Sequence, residues 1–521
     1  MTTVTQDNDA HDIRVSVGRC ASYMTPASVC AHTEMVADLT HQAGAVSNSS
    51  DVDRALDRAG ITWFSFRVCM ICGFGWLADG VEGQVLSFML PTLEERWNLT
   101  ATELASLAAC VSVGQALGAV IWGAVADSYG RRKAYLGSLL VASLFGTCSA
   151  FAPHFASYLV LRAATGFGIG GNLPVSIALV AEFLGPNVRA TTIVLMHLFY
   201  EVGELVTIGL AWFLLSSKWR IFLLATAAPA AVMVIVSIRY LPESPQWLLS
   251  KGEAKKARDI LLRTVQSPPL RPSVPCQRKG HHDEEDDESS DDGYDSPDVF
   301  LPTSANHNAS LATTAHSDGE TPTTTGLRTL FARKLAPTTL AMMCLWFFAQ
   351  LGSGWSVWVP EIAQLRHLSK GSTYVSLAVA RVVAMTAFLF AAKMIEGRPF
   401  KLLTAALMLT MGASAVFAII VGQSDLTSAW TFGAGYVIFV FFFALTWPVM
   451  YATTPMSFPT YARGVGFGVA NSASKCGSML HPLIAGIFIH HSIGMLGAVW
   501  TGGWMLAVLS SITLSRLPIY L

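Results

Sequence analysis

The 521-residue sequence predicts an all-α membrane protein. Twelve transmembrane helices form two pseudo-symmetric six-helix bundles, joined by a long cytosolic central loop. Three observations predict it. Only 13% of residues are charged, against roughly 25% in soluble domains, while 52% are hydrophobic and mean hydropathy is +0.47. The charges are also segregated, with none in Ala134–Ala152, Ile221–Ile238, Leu402–Ser424 or Leu426–Tyr461. Spans of about 20 apolar residues match a hydrocarbon core about 30 Å thick, and they fall six and six around one polar stretch, as in carriers built from repeats.

Residues 1–62 are rich in Ser, Thr, Asp and His and read as a cytosolic tail with some local helix. No apolar signal region is visible there, so insertion is expected to rely on the first span. In the bundle at 63–245 the expected spans are 64–90, 103–125, 134–152, 156–180, 191–215 and 221–240. The second bundle, 333–516, holds 336–358, 372–393, 402–422, 428–450, 464–489 and 494–515, before a short tail at 517–521. The turns after spans two, four, eight and ten carry Arg131, Arg132, Lys133, Arg189, Lys393, Arg398, Lys401 and Arg463. The opposite turns hold Arg96, Lys218, Arg220, Arg366 and Lys370. By the positive-inside rule both termini and the 246–332 linker are cytosolic, in a plasma or organelle membrane. Ser250–Val265 reads as a short basic amphipathic helix on the membrane surface. From Gln266 to Thr325 the linker is expected to be disordered, with ten acids in Asp283–Asp298.

Composition excludes several classes. The basic residues sit in short turns, so no nucleic-acid partner follows. Nine cysteines are scattered without framework spacing, and the Cys69/Cys72 pair has no second pair or His nearby. No phosphate-binding GxxxxGK[ST], catalytic triad or zinc constellation emerges. Neither an enzyme nor a cofactor or metal is expected, and there are no catalytic residues to nominate.

The turn after span two reads Gly123-Ala-Val-Ala-Asp127-Ser-Tyr-Gly130-Arg131-Arg132-Lys133. A glycine at 123 lets helices approach and one at 130 permits a tight turn. This segment resembles the loop 2–3 signature of the major facilitator superfamily, with Ser128 in place of the usual basic residue. Arg162-Ala-Ala-Thr-Gly166-Phe-Gly168-Ile-Gly170-Gly171-Asn-Leu-Pro174 resembles its span-four signature, and Glu182 with Arg189 its loop 4–5 charge pair. Pro242-Glu243-Ser244-Pro245-Gln246-Trp247 is similar to the sequence that follows span six in sugar porters and organic ion transporters. Thr454–Thr460 with Arg463-Gly464 resembles the loop 10–11 motif, Met456 standing where the family has Glu. Lys393-Met-Ile-Glu396-Gly397-Arg398 is a shortened loop 8–9 copy.

The resemblance implies a rocker-switch carrier. Gly123, Asp127, Gly130, Arg131, Arg132, Glu182, Arg189, Glu243, Glu396, Arg398 and Arg463 would form its cytosolic gate, unless these charges only fix topology. The closest branch is that of niacin transporters and synaptic-vesicle-protein-related carriers, which carry two acids in span one, here Asp79 and Glu82. Hexose porters have a double-Gln stretch in span seven, where this chain has a lone Gln350. The partners implied are a small-molecule substrate, protons and membrane lipid, with a monomer as the family default.

Ionised side chains inside a bilayer are costly and face cavities or partners. At 100° per residue, His197, Glu201 and Glu204 share one stripe of span five, a geometry suited to proton binding or to a static network. The resemblance to proton-coupled sugar carriers implies an Asp79–Arg162 pair. The resemblance to organic anion carriers implies that Arg381 and Lys475 are substrate counter-charges, unless they pair structurally with Glu201 or Glu204. Gln350, Trp346, Trp355, Trp358, Tyr374 and Trp447 are the candidate neutral contacts. The reading that results is proton-coupled symport of a small carboxylate-type anion. The alternatives are a facilitative sugar or polyol carrier, and a non-transporting receptor or scaffold.

Overall fold

The computed structural model describes residues 49–215, 218–270, 327–395, 398–423, 428–459, 462–489 and 491–517. The acidic run of the linker and Glu396 lie outside the described residues. A short helix, α1 (Ser49–Ala59), precedes six long ones: α2 (Trp63–Trp97), α3 (Ala101–Tyr129), α4 (Arg131–Ser149), α5 (Phe155–Ala181), α6 (Pro186–Leu214) and α7 (Trp219–Tyr240). Two short helices, α8 (Pro245–Ser250) and α9 (Ala254–Val265), follow. After the one-turn α10 (Leu327–Leu330), the second bundle holds α11 (Ala336–Gly352), α12 (Trp355–Leu365), α13 (Lys370–Met394), α14 (Pro399–Gly422), α15 (Ala429–Met456), α16 (Arg463–Phe488) and α17 (Ile493–Ser515).

With α11 and α12 counted as one span, ten described spans are individually long and apolar enough to cross a membrane. The other two of the twelve, α4 and α16, are crossed by polar groups. α4 has 19 residues and opens on Arg131-Arg132-Lys133, and α16 carries Asn471, Lys475 and His481.

Two boundaries and one packing partner differ from expectation. α2 runs past Pro91 to Trp97, and Asn98 ends it in the left-handed region at φ 51°, its N–H donating to Glu94 O. The seventh span breaks at Ser353–Gly354 and continues to Leu365. Gly352 and Gly354 there press against the indoles of Trp504 and Trp500, where any Cβ would overlap the ring. The apolar face of α9 is covered by α1 rather than by a membrane surface: Val52, Ala55, Leu56 and Ala59 pack on Leu261 and Val265.

The bundles meet unevenly. Towards the α2–α3 turn they share one apolar core, in which Val85, Phe88, Leu90 and Leu104 join residues of α11–α17. At this face the Phe88 and Tyr374 rings lie 5.2 Å apart, and a Cβ on Gly486 of α16 would stand 2.7 Å from Ala105 Cβ. Towards the linker, Val68, Cys72, Ala126, Tyr135, Leu179 and Phe183 form a separate core drawn from the first bundle alone. The larger apolar contact between the bundles therefore lies towards the α2–α3 face.

Candidate functional site

Between the bundles lies a cavity of about 260 Å³, lined by α2, α3, α5 and α6 on one side and by α11–α13, α15 and α16 on the other. Asp79, Glu82, Arg162, His197, Glu201, Glu204, Arg381, Lys475, Gln350 and Trp447 all line it. The charges inside are not distributed as the resemblance implied.

Arg162 Nη1 donates to Glu82 Oε2 at 2.8 Å, both side chains buried. Asp79 instead accepts from Asn172 Nδ2 at 2.9 Å. The implied Asp79–Arg162 pair is thus replaced by Glu82–Arg162. The cause is helix geometry: α5 runs antiparallel to α2, so Arg162, ten residues before Asn172, lies nearer the α2–α3 face, at the height of Glu82.

Arg381 on α13 reaches across the bundle boundary to α6. Its Nη1 lies 3.4 Å from Glu201 Oε2 and closer still to Glu204 Oε2, while Nη2 donates to Tyr436 OH at 3.4 Å. A cation flanked by two carboxylates is no free counter-charge in this conformation, and the pairing is the alternative left open for Arg381. His197 shares their helical stripe without joining their network. One turn nearer the linker, its Nδ1 faces Ile193 O at 3.1 Å, and its ring is packed by Trp76, Phe388 and Tyr451.

Lys475 differs from both arginines. Nζ lies 3.4 Å from Gln115 Oε1 of α3. Asp79 lines the same cavity, and among the described residues no carboxylate lies within ion-pair distance of Lys475. Gln84 Nε2, His197 Nε2 and His481 Nδ1 are buried cavity-lining atoms without a hydrogen-bond partner among the described residues. Gln84, Gln115, Asn471 and His481 were missed from sequence; the available signal was polarity inside otherwise apolar spans.

Several expected contacts lie elsewhere. Trp346 Nε1 donates to Thr454 Oγ1 at 3.0 Å and Trp355 Nε1 to Ser414 Oγ at 3.0 Å. Both indoles, and that of Trp358, are fully buried in the second bundle, outside the cavity lining. Trp346 and Trp355 fill the packing between helices once their N–H finds a hydroxyl. Tyr374 lines a second cavity at the α2–α3 face with Trp212 and Glu95.

At the linker face, Arg131 pairs with Asp127 and, at 3.3 Å, with Glu182. Glu243 Oε1 accepts from Arg132 N at 3.0 Å. Gly130 sits at φ 112°, where its missing Cβ leaves room for the Glu243 carboxylate. Arg189 turns away from Glu182 and donates to Asp53 Oδ1 at 3.0 Å. Gly123 makes no close approach in this conformation, its Cβ position being open; Gly114 and Gly118 instead press on the α5 backbone. Arg398 is exposed, and the side chain of Arg463 lies outside the described residues.

Two six-helix bundles around a charged cavity have the architecture of a multi-pass membrane transporter. The family model described as Major Facilitator Superfamily matches residues 68–482, and the chain belongs to that superfamily. It is 26% identical over 438 residues to the niacin transporter NiaP of Acinetobacter baylyi, covering 83% of this chain and 89% of that one. With the synaptic vesicle 2-related protein of Rattus norvegicus it shares 26% over 477 residues, covering 88% and 80%. With organic cation/carnitine transporter 7 of Arabidopsis thaliana it shares 27% over 467 residues, covering 84% and 88%. Among solved structures, the proton:xylose symporter XylE bound to 6-bromo-6-deoxy-D-glucose superposes with TM-score 0.66 at 18% identity, covering 88% and 96%. The human organic anion transporter MFSD10 gives 0.59 at 18%, covering 86% and 99%. At these identities the structures speak to the fold.

Proposed function

We propose that the protein is a proton-coupled symporter of a small organic monocarboxylate, with both termini and the linker in the cytosol. The observation that carries this reading is the state of Lys475. Arg162 and Arg381 are held by carboxylates of the protein itself, whereas Lys475 has only the neutral Gln115 amide oxygen as its partner among the described residues and can offer its ammonium to a substrate carboxylate. Trp447, Tyr451 and Phe443 line the same cavity and suit a flat ring. A relative named as a niacin transporter favours that class, since niacin is a pyridine carboxylate.

Asp79 is the proposed proton carrier. With Asp79 ionised, its field holds the Lys475 ammonium across the bundle boundary. Protonation removes that charge and frees Lys475 for the incoming carboxylate. Proton and anion then favour the same bundle arrangement, the differential state energy that coupling requires. A zwitterionic substrate is the second reading, favoured by four cavity acids, Asp79, Glu82, Glu201 and Glu204, against the cations Arg162, Arg381 and Lys475.

The test is nicotinate uptake into proteoliposomes that carry a pH dye. Lumenal acidification that follows an inward nicotinate gradient and is lost in Asp79→Asn supports symport. Uptake without proton movement would overturn it in favour of a facilitator. Uptake of carnitine but not nicotinate would select the zwitterion.

A further inference from the structure

The N-terminal helix does something that neither the motifs nor the central cavity accounts for. Val52, Ala55, Leu56 and Ala59 of α1 recur at i, i+3, i+4 and i+7, one helical face, and that face is buried on Leu261 and Val265 of α9. Its polar side is aimed at two other places. Asp53 Oδ1 accepts from Arg189 Nη2 at 3.0 Å and from Gln246 Nε2 at 2.9 Å. Asp57 Oδ2 accepts from Asn187 Nδ2 at 2.7 Å, and Gly185 makes room, since a Cβ there would stand 2.6 Å from Asp57 Cα. Beyond the helix, Trp63 N donates to Pro268 O and Leu270 N to Ile61 O, each at 2.9 Å. One stretch of sixteen residues, 49–64, therefore joins the α5–α6 turn, α8, and α9 with the segment that follows it.

The α5–α6 turn opens α6, a 29-residue helix. Three turns further along, Glu201 and Glu204 of α6 meet Arg381 of the other bundle. A helix transmits displacement of its end along its axis, so whatever holds Arg189 also sets where α6 lies against α13. Resting on the transporter class rather than on any particular substrate, we infer that Asp53 is a positioning residue of the transport cycle. Through Arg189 and Gln246 it clasps α1, α8, α9 and the start of α6 into one body that rocks with the first bundle. The Asp53–Arg189 pair is half exposed and by itself contributes little. Its effect comes from the apolar α1–α9 contact, which holds the carboxylate in place, and from Gln246, which shares it.

The experiment uses the full chain in nanodiscs and proteoliposomes, with Asp53→Ala, Asp53→Glu, Arg189→Ala and the Asp53→Ala/Arg189→Ala double variant. Hydrogen–deuterium exchange is read over 184–190 and 254–266. Nicotinate uptake is read as maximal rate against KM. Asp53→Ala is expected to raise exchange in both segments and to lower the maximal rate about five-fold with KM little changed, since the residue is remote from the cavity. Asp53→Glu should recover most of the rate, and the double variant should be no worse than the worse single one. Native exchange in both segments of Asp53→Ala, or additive effects in the double variant, would overturn the clasp. If the unaltered protein does not carry nicotinate, the substrate reading fails, and exchange in the four variants still decides the clasp by the same criteria.

Discussion

Lys475 of α16 and Asp79 of α2 belong to different bundles and line the same cavity, with Lys475 Nζ resting 3.4 Å from Gln115 Oε1. An amide oxygen is a weak partner for an ammonium, easily displaced by a carboxylate.

Replacing Lys475 with Ala should therefore act on substrate affinity first. The loss of one charge-assisted bond raises KM by about 10- to 100-fold. Lys475→Arg should recover part of it, because the charge is kept and the reach changed. Nicotinate concentration curves on proteoliposomes check this; an unaltered KM in Lys475→Ala would remove the residue from the substrate site.

The Glu82–Arg162 pair lends itself to a stability measurement. Breaking a buried ion pair from one side leaves a bare charge and costs about 3–5 kcal/mol, whereas removing both charges costs much less. Glu82→Gln and Arg162→Met should each lower the unfolding midpoint in detergent, and the double variant Glu82→Leu/Arg162→Met should lie nearer the unaltered protein. Thermal unfolding by intrinsic fluorescence gives the ordering.

The spans, the motif order and the charged residues of the cavity were legible because each is written locally, as apolar length, glycine spacing or a charge inside an apolar run. The pairings were not. Whether Arg162 meets Asp79 or Glu82 depends on the relative height of two antiparallel helices, which no spacing within either helix records. Arg381 met the alternative left open for it, the acids of α6. Trp346 and Trp355 looked like ligand contacts because an aromatic in a span reads alike whether it faces a cavity or a neighbouring helix. The clasp was hidden for another reason: four small apolar residues in a polar tail become a helix face only against α9, some 200 residues on.

Gly130 is a site where any side chain is excluded. Its φ of 112° lies outside the region that residues with a Cβ favour, and the Glu243 carboxylate occupies the space a methyl group would need. Gly130→Ala should cost about 1–3 kcal/mol and displace Glu243 from Arg132 N. The expected readout is a lower unfolding midpoint together with raised amide exchange at 131–134. A midpoint unchanged from the parent protein would show that the turn relaxes without strain.

Asp79→Asn separates coupling from binding. The amide retains the size of the carboxylate and can still bond Asn172, so the cavity keeps its shape. What it loses is the capacity to alternate between charged and neutral. Nicotinate counterflow, which needs no net proton movement, should continue, with Lys475 permanently free of its opposing charge. Concentrative uptake driven by an acid-outside gradient should fall to simple equilibration, and the dependence of uptake on external pH should flatten. Measuring counterflow and gradient-driven uptake on the same vesicles distinguishes the outcomes. Loss of both assigns Asp79 to substrate binding or folding, and retention of both moves the proton to another carboxylate of the cavity, with the Glu201–Glu204 pair around Arg381 as the next to neutralise.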